Sequence, residues 1–168
     1  MTIGQILAGE LQHEAVATKK MFELLPFEKA MWKPHEKSMT LGHLASHIAE
    51  LPLWIGITVD MDELDFAKFD YKPSDAKTTE ELLAKFDENM KKAVIALSNC
   101  SDDVMMKNWT LRNGETVYFT MPRIQVMRGM NFNHIYHHRG QLSVYLRMVN
   151  VPLPAVYGPT ADDTSGMG

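Results

Sequence analysis

The sequence predicts an all-α protein, a four-helix bundle with a small β-hairpin between its third and fourth helices. Three observations predict it. Four segments repeat apolar residues at every third or fourth position, which gathers them on one helix face. Capping residues and prolines stand at several of the ends of these segments. Asn113-Gly114 lies between two β-prone runs, the strongest short signal for a hairpin.

The first helix is expected from about Ile3 to Leu25, with Ile3, Leu7 and Leu11 spaced by four and Phe22 and Leu25 continuing the face. Pro26 ends it. The second runs from about Thr40 to Val59, where Leu41, Leu44, Ile48, Leu51 and Ile55 form a seam and Thr40 is a candidate N-cap. The third covers about Thr79 to Ser98. Thr78 and Glu81 read as a capping box, and Leu82, Phe86, Met90, Ala93 and Leu97 form the stripe. The fourth is expected from about Thr120 to Val149, with Thr120 as cap and Pro122 where a missing N–H costs little. The hairpin falls within Trp109–Phe119. Residues 60–77 form a long connection with a short helical turn, and the tail from Gly158 to Gly168 is polar.

The 168 residues fit a single domain, 1–168, with 45% hydrophobic and 23% charged residues, ordinary for a globular chain. A net charge of −4 argues against a sequence-independent nucleic-acid partner, which needs a basic face. No window holds the 18 or so apolar residues of a membrane helix, and Met1–Gln5 carries no signal-peptide pattern. A soluble cytoplasmic protein is expected. Cys100 is the single cysteine, so no intrachain disulfide forms, which fits a reducing compartment. Asp102 and Asp103 beside it oppose a reactive thiolate. The 13 methionines read as core filling, not as a soft-metal site.

The chemistry concentrates in histidines. His134 and His138 stand four apart, so both imidazoles share a helix face one turn apart. That face is the inward stripe Met127, Asn131, His134, His138, Leu142, Tyr145 and Val149. Inward imidazoles need partners, and one metal ion satisfies both. His47 lies on a row with Leu44, Leu51 and Trp54 in the second helix and should face the same interior. Three histidines leave coordination positions open, the pattern of a catalytic site. His43 and His137 are rival ligands. The zincin motif, a nucleophile elbow and a P-loop are all missing, and Glu10-x-x-His13 occurs once where a di-iron bundle needs two such motifs.

Thr40-Leu41-Gly42-His43-Leu44-Ala45-Ser46-His47-Ile48-Ala49-Glu50 resembles the second-helix motif of the DinB/YfiT-like family of metalloenzymes. Asn133-His134-Ile135-Tyr136-His137-His138-Arg139-Gly140-Gln141 resembles its last-helix H-x-x-x-H-R-G-Q motif, and the stretch from Val151 to Asp162 its V-P-x-x-Y-G-P signature. The resemblance implies an up-and-down four-helix bundle, often a homodimer. It implies one divalent transition metal, Zn or Ni, on His47, His134 and His138, which demotes His43 and His137. Some members resemble S-transferases that use low-molecular-weight thiols.

The expected function is therefore a metal-dependent enzyme on a small-molecule substrate, a thiol S-transferase or a hydrolase. The alternatives are a metal-binding module without turnover and a structural helical dimer with core histidines. Glu50, Asn131 and Gln141 are candidates to hold the far ring nitrogens of the ligands. Arg139 should form a salt bridge or dimer contact, Gly140 should mark a close helix approach, and Tyr136 should pack away from the histidine pair.

Overall fold

The computed structural model describes residues 1–165: a mostly helical chain with a three-stranded sheet. Helix α1 (Ile3–Glu23) starts at a reciprocal capping box, the Thr2 hydroxyl accepting from the Gln5 N–H and the Gln5 side chain from the Thr2 N–H. A Cβ on Gly4 would lie 2.2 Å from the Leu97 carbonyl oxygen, so only glycine lets the first turn of α1 pack there. Helix α2 (Leu41–Asp60) is capped by Thr40, whose side chain accepts from the His43 N–H.

Helix α3 (Thr79–Asn99) carries only half of its expected box. The Thr78 hydroxyl accepts from the Glu81 N–H, but the Glu81 carboxylate takes the Lys77 N–H at 2.8 Å, one residue before the cap. A short helix α4 (Asp102–Met106), capped by Ser101, follows. Cys100 lies buried between them, and burial pushes its thiol pKa up, against any nucleophilic role.

The all-α expectation is corrected by the sheet. Strand β1 (Glu63–Asp65) pairs in parallel with β2 (Asn108–Asn113), which pairs antiparallel with β3 (Thr116–Pro122). The hairpin is thus present and longer than expected. Its loop is Gly114-Glu115, Asn113 pairs with Thr116, and Gly114 takes the left-handed φ of +58° that a tight hairpin requires. In the connection after α2, one turn closes from the Phe69 N–H to the Asp65 carbonyl at 3.0 Å.

The last helix starts later than expected. Thr120 is no cap: it sits in β3 and pairs hydroxyl to hydroxyl with Thr110 at 2.9 Å. Pro122 occupies the cap position of α5 (Arg123–Val126). A π-helical turn at Met127–Phe132 then leads, with helical backbone throughout, into α6 (Asn133–Met148). Such turns recur at functional sites within helices.

Apolar stripes of α1, α2, α3 and α6 meet in one core, including Leu7, Leu11, Phe22, Leu44, Ile48, Phe86, Leu97 and Leu142. A second cluster, Leu64, Trp109 and Val126, joins the sheet to the helices. Arg139 of α6 is buried and reaches α1, its guanidinium donating to Glu14 Oε2 at 2.5 Å and to the Glu14 carbonyl at 2.9 Å. Its salt bridge is thus within the chain. Tyr136 also reaches α1, donating to Glu10 at 2.7 Å. Gly140 marks no close approach, since a Cβ there would meet nothing within 4 Å among the described residues. No helix among the described residues is long and apolar enough to cross a membrane.

Candidate metal centre

Two helices supply the three histidines. His47 sits in mid-α2, where its row faces the last helix, and His134 and His138 lie one turn apart on α6. His47 Nε2 and His134 Nε2 are 3.4 Å apart. One ligand nitrogen from each of the three lies within 4.8 Å of the others. The ring centroids stand 4.7 Å apart for His47–His138 and for His134–His138, and 5.1 Å for His47–His134.

Burial sets the charge state. Desolvation is the largest cause lowering the His47 pKa, from 6.5 to about 4, and the neighbouring imidazoles His138 and His134 lower it further. Glu50 pulls weakly the other way. His134 and His138 are also shifted down, again first by desolvation. All three rings are therefore neutral at pH 7, the form that donates a lone pair to a metal.

The donor set fits a divalent ion. A tetrahedral ion with Zn–N bonds of roughly 2.0–2.1 Å separates its nitrogens by about 3.3 Å. The His47–His134 separation of 3.4 Å already matches that spacing. Among the described residues these three form the group of His, Cys, Asp or Glu side chains arranged to hold a metal ion. The cluster could hold one ion with positions left open.

The outer partners separate. Gln141 Oε1 lies 2.7 Å from His138 Nδ1 and accepts its N–H, which leaves Nε2 with the free lone pair. The Met130 backbone carbonyl, one turn earlier, opposes part of the downward shift on His134. Glu50 touches no histidine; buried in α2, it accepts from Lys85 Nζ at 2.5 Å, from the Tyr71 hydroxyl and from the Ser74 N–H. Asn131 donates to the Thr58 hydroxyl at 3.2 Å, and its Oδ1 is buried without a partner among the described residues. The rival His43 turns to Asp75 at 2.8 Å, and His137 is exposed.

A cavity of about 230 Å³ opens beside the cluster, lined by His47, His134, Trp54, Phe66, Tyr71 and Met130. Sequence reasoning placed Trp54 on the His47 row, and seven residues is two helical turns. It missed Phe66 and Tyr71, which arrive from the connection after α2. The aromatic run Phe66, Phe69, Tyr71 was the available signal. Trp54 packs edge-on against Tyr71 with centroids 5.0 Å apart.

Comparison with known proteins agrees with this architecture. A family model described as the DinB family matches residues 4–166. The uncharacterized protein YrdA of Bacillus subtilis strain 168 is 26% identical over 162 residues, covering 94% of this chain and 89% of that protein. A DinB-like protein from Bacillus cereus ATCC 10987 superposes with a TM-score of 0.65 at 22% identity, over 89% of this chain and 94% of its own. The DinB-like YjoA of Bacillus subtilis gives 0.66 at 17% identity, over 87% and 94%. A member from Exiguobacterium sibiricum gives 0.61 at 20% identity, over 89% and 93%.

Proposed function

This chain belongs to the DinB family, and from that premise we propose that it is a metal-dependent enzyme acting on a small molecule. One divalent transition metal, Zn²⁺ or Ni²⁺, would be held by His47, His134 and His138. The observation that carries this reading is the convergence of three neutral imidazoles from two helices within 4.8 Å, beside a cavity. A closed structural site would fill all four positions with protein ligands, whereas this set leaves room for a water, a thiol or a substrate atom.

When bound, such an ion lowers the pKa of a coordinated water to about 7 and deprotonates a coordinated thiol. The chain's own residues do the rest. Gln141 fixes the tautomer of His138. Trp54 and Tyr71 wall the cavity in which a substrate would meet the cluster. Thiol transfer and hydrolysis both suit this arrangement. In transfer, the thiol gives its proton to solvent, its sulfur bonds the electrophilic carbon, and the leaving group departs with the electron pair. A low-molecular-weight thiol is the co-substrate we favour. We also read the helical layer as an up-and-down four-helix bundle, working as a cytoplasmic homodimer.

The test is turnover. Thiol conjugation and ester or amide hydrolysis are measured across a panel of small electrophiles, with metal-loaded and chelator-treated protein side by side. Turnover that disappears with the metal supports an enzyme. Metal-loaded protein that turns over nothing in the panel supports a binding module instead.

A further inference from the structure

The cavity beside the histidines has a wall whose chemistry restricts what can enter it. Trp54, Phe66, Tyr71 and Met130 line it together with the edges of His47 and His134. Phe69 extends the aromatic group behind them, 6.0 Å from Trp54 and 6.3 Å from Tyr71 between centroids. No Lys, Arg, Asp or Glu is among the lining residues.

The carboxylate bonded to the Tyr71 hydroxyl of the wall already has a cation. The Glu50 carboxylate receives Lys85 at 2.5 Å, the Tyr71 hydroxyl and the Ser74 N–H, so the acid and its base neutralise each other, and neither lines the cavity. A charged group entering the cavity would lose its water and find no opposite charge on the wall. Aromatic rings alone can hold a cation over their faces. Here, however, that cation would stand against the metal ion on His47 and His134, with the same sign of charge.

Size narrows the class further. A dry cavity of about 150 Å³ suffices for benzene, and sites for drug-sized ligands begin at about 300 Å³. The volume of about 230 Å³ lies between. One ring, or a short branched alkyl group, fills it.

We infer that the substrate of this site places a small, uncharged, apolar or aromatic group of about one ring between Trp54, Phe66 and Tyr71, with its reacting atom turned toward His47 and His134. This assignment rests on the metal reading above for the placement of the reacting atom and for the exclusion of cations.

The experiment titrates zinc-loaded protein with benzyl alcohol and, separately, with benzyltrimethylammonium, by ligand-observed NMR and calorimetry. Zinc content is measured on the same samples. Benzyl alcohol should bind in the millimolar range and about tenfold more tightly than the ammonium probe. Phe66→Ala should weaken it severalfold; because Phe66 is 43% exposed, that variant keeps its fold. Trp54→Leu should weaken it about tenfold, since ring contacts of this kind carry most of the affinity for a small apolar ligand. Tighter binding of the ammonium probe would make the wall a cation cage and overturn the assignment. So would zinc-loaded protein that binds no benzyl alcohol, or binding that both variants leave unchanged. Protein that takes up no zinc yet binds benzyl alcohol keeps the cavity assignment and removes the metal reading.

Discussion

Replacing Gln141 by Ala should weaken metal binding by about tenfold to a hundredfold while leaving the fold intact. The magnitude follows from a single contact. Gln141 Oε1 stands 2.7 Å from His138 Nδ1 and, on α6, lies one turn beyond it. Among the described residues this is the hydrogen bond that His138's ring makes, and it holds the proton on Nδ1 so that Nε2 faces the other two imidazoles. Without it the ring is free to take the other tautomer or to turn. The expected loss, about 1.4–2.8 kcal/mol, is the tenfold-to-hundredfold range expressed as free energy. It matches the roughly 1.5–3 kcal/mol of a hydrogen bond to a charged or polarised group. Gln and Ala are both good helix formers, so the helix itself loses nothing. The assay is Zn²⁺ competition against a chromophoric chelator, with Ser143→Ala as a control on the same helix. An affinity unchanged in Gln141→Ala, or lowered equally in the control, would refute the reasoning.

Further substitutions and conditions test the frame. Gly4→Ala puts a Cβ 2.2 Å from the Leu97 carbonyl and should destabilise by about 1–3 kcal/mol, seen as a lower thermal midpoint. Gly140→Ala meets nothing within 4 Å and should stabilise by roughly 0.5–1 kcal/mol in the same assay. Arg139→Met leaves Glu14 without its buried partner and should cost about 3–5 kcal/mol, measured by urea unfolding. For pH, the folded His47 value is depressed from 6.5 to about 4, so the unfolded chain binds the proton first. The stability of metal-free protein from this group is complete above pH 6.5 and is lost as pH falls toward 4, with His134 and His138 acting in the same direction. His47→Gln should therefore show a shallower fall than wild type in urea midpoints between pH 7 and 4.5; parallel curves would contradict it.

Much of this frame was legible in the chain, and the illegible parts share a cause. Helical stripes such as Leu41, Leu44, Ile48, Leu51 and Ile55 are local, strongly periodic and all buried. The inward face of the last helix, from Met127 through His134 and His138 to Leu142, follows from spacing alone. Strand β1 does not: three residues, Glu63–Asp65, become a strand only because β2 lies beside them. Thr120 has the chemistry of a cap, yet pairing with Thr110 claims it for the sheet. The π turn at Met127–Phe132 breaks no periodic rule that a residue count would detect. At the candidate site the inward faces that carry His47, His134 and His138 were readable from helix spacing, with His43 and His137 as rivals until the family resemblance, and Gln141 was one of three polar candidates. Glu50, another of the three, is no partner, because Lys85 and the Tyr71 hydroxyl, both distant in sequence, draw its carboxylate away from His47. Mid-helix Gly140 looked like a contact signal, but a missing side chain records only that none is needed.

The measurement that tests the central claim most directly is elemental analysis of the purified, untagged protein and of its His47→Ala, His134→Ala and His138→Ala variants. The account predicts about one Zn or Ni per chain in the wild type and loss of that metal in each variant, with helical content unchanged. A wild-type protein that carries no metal, and takes up none from added Zn²⁺ or Ni²⁺, would contradict it and leave three neutral histidines packed against one another.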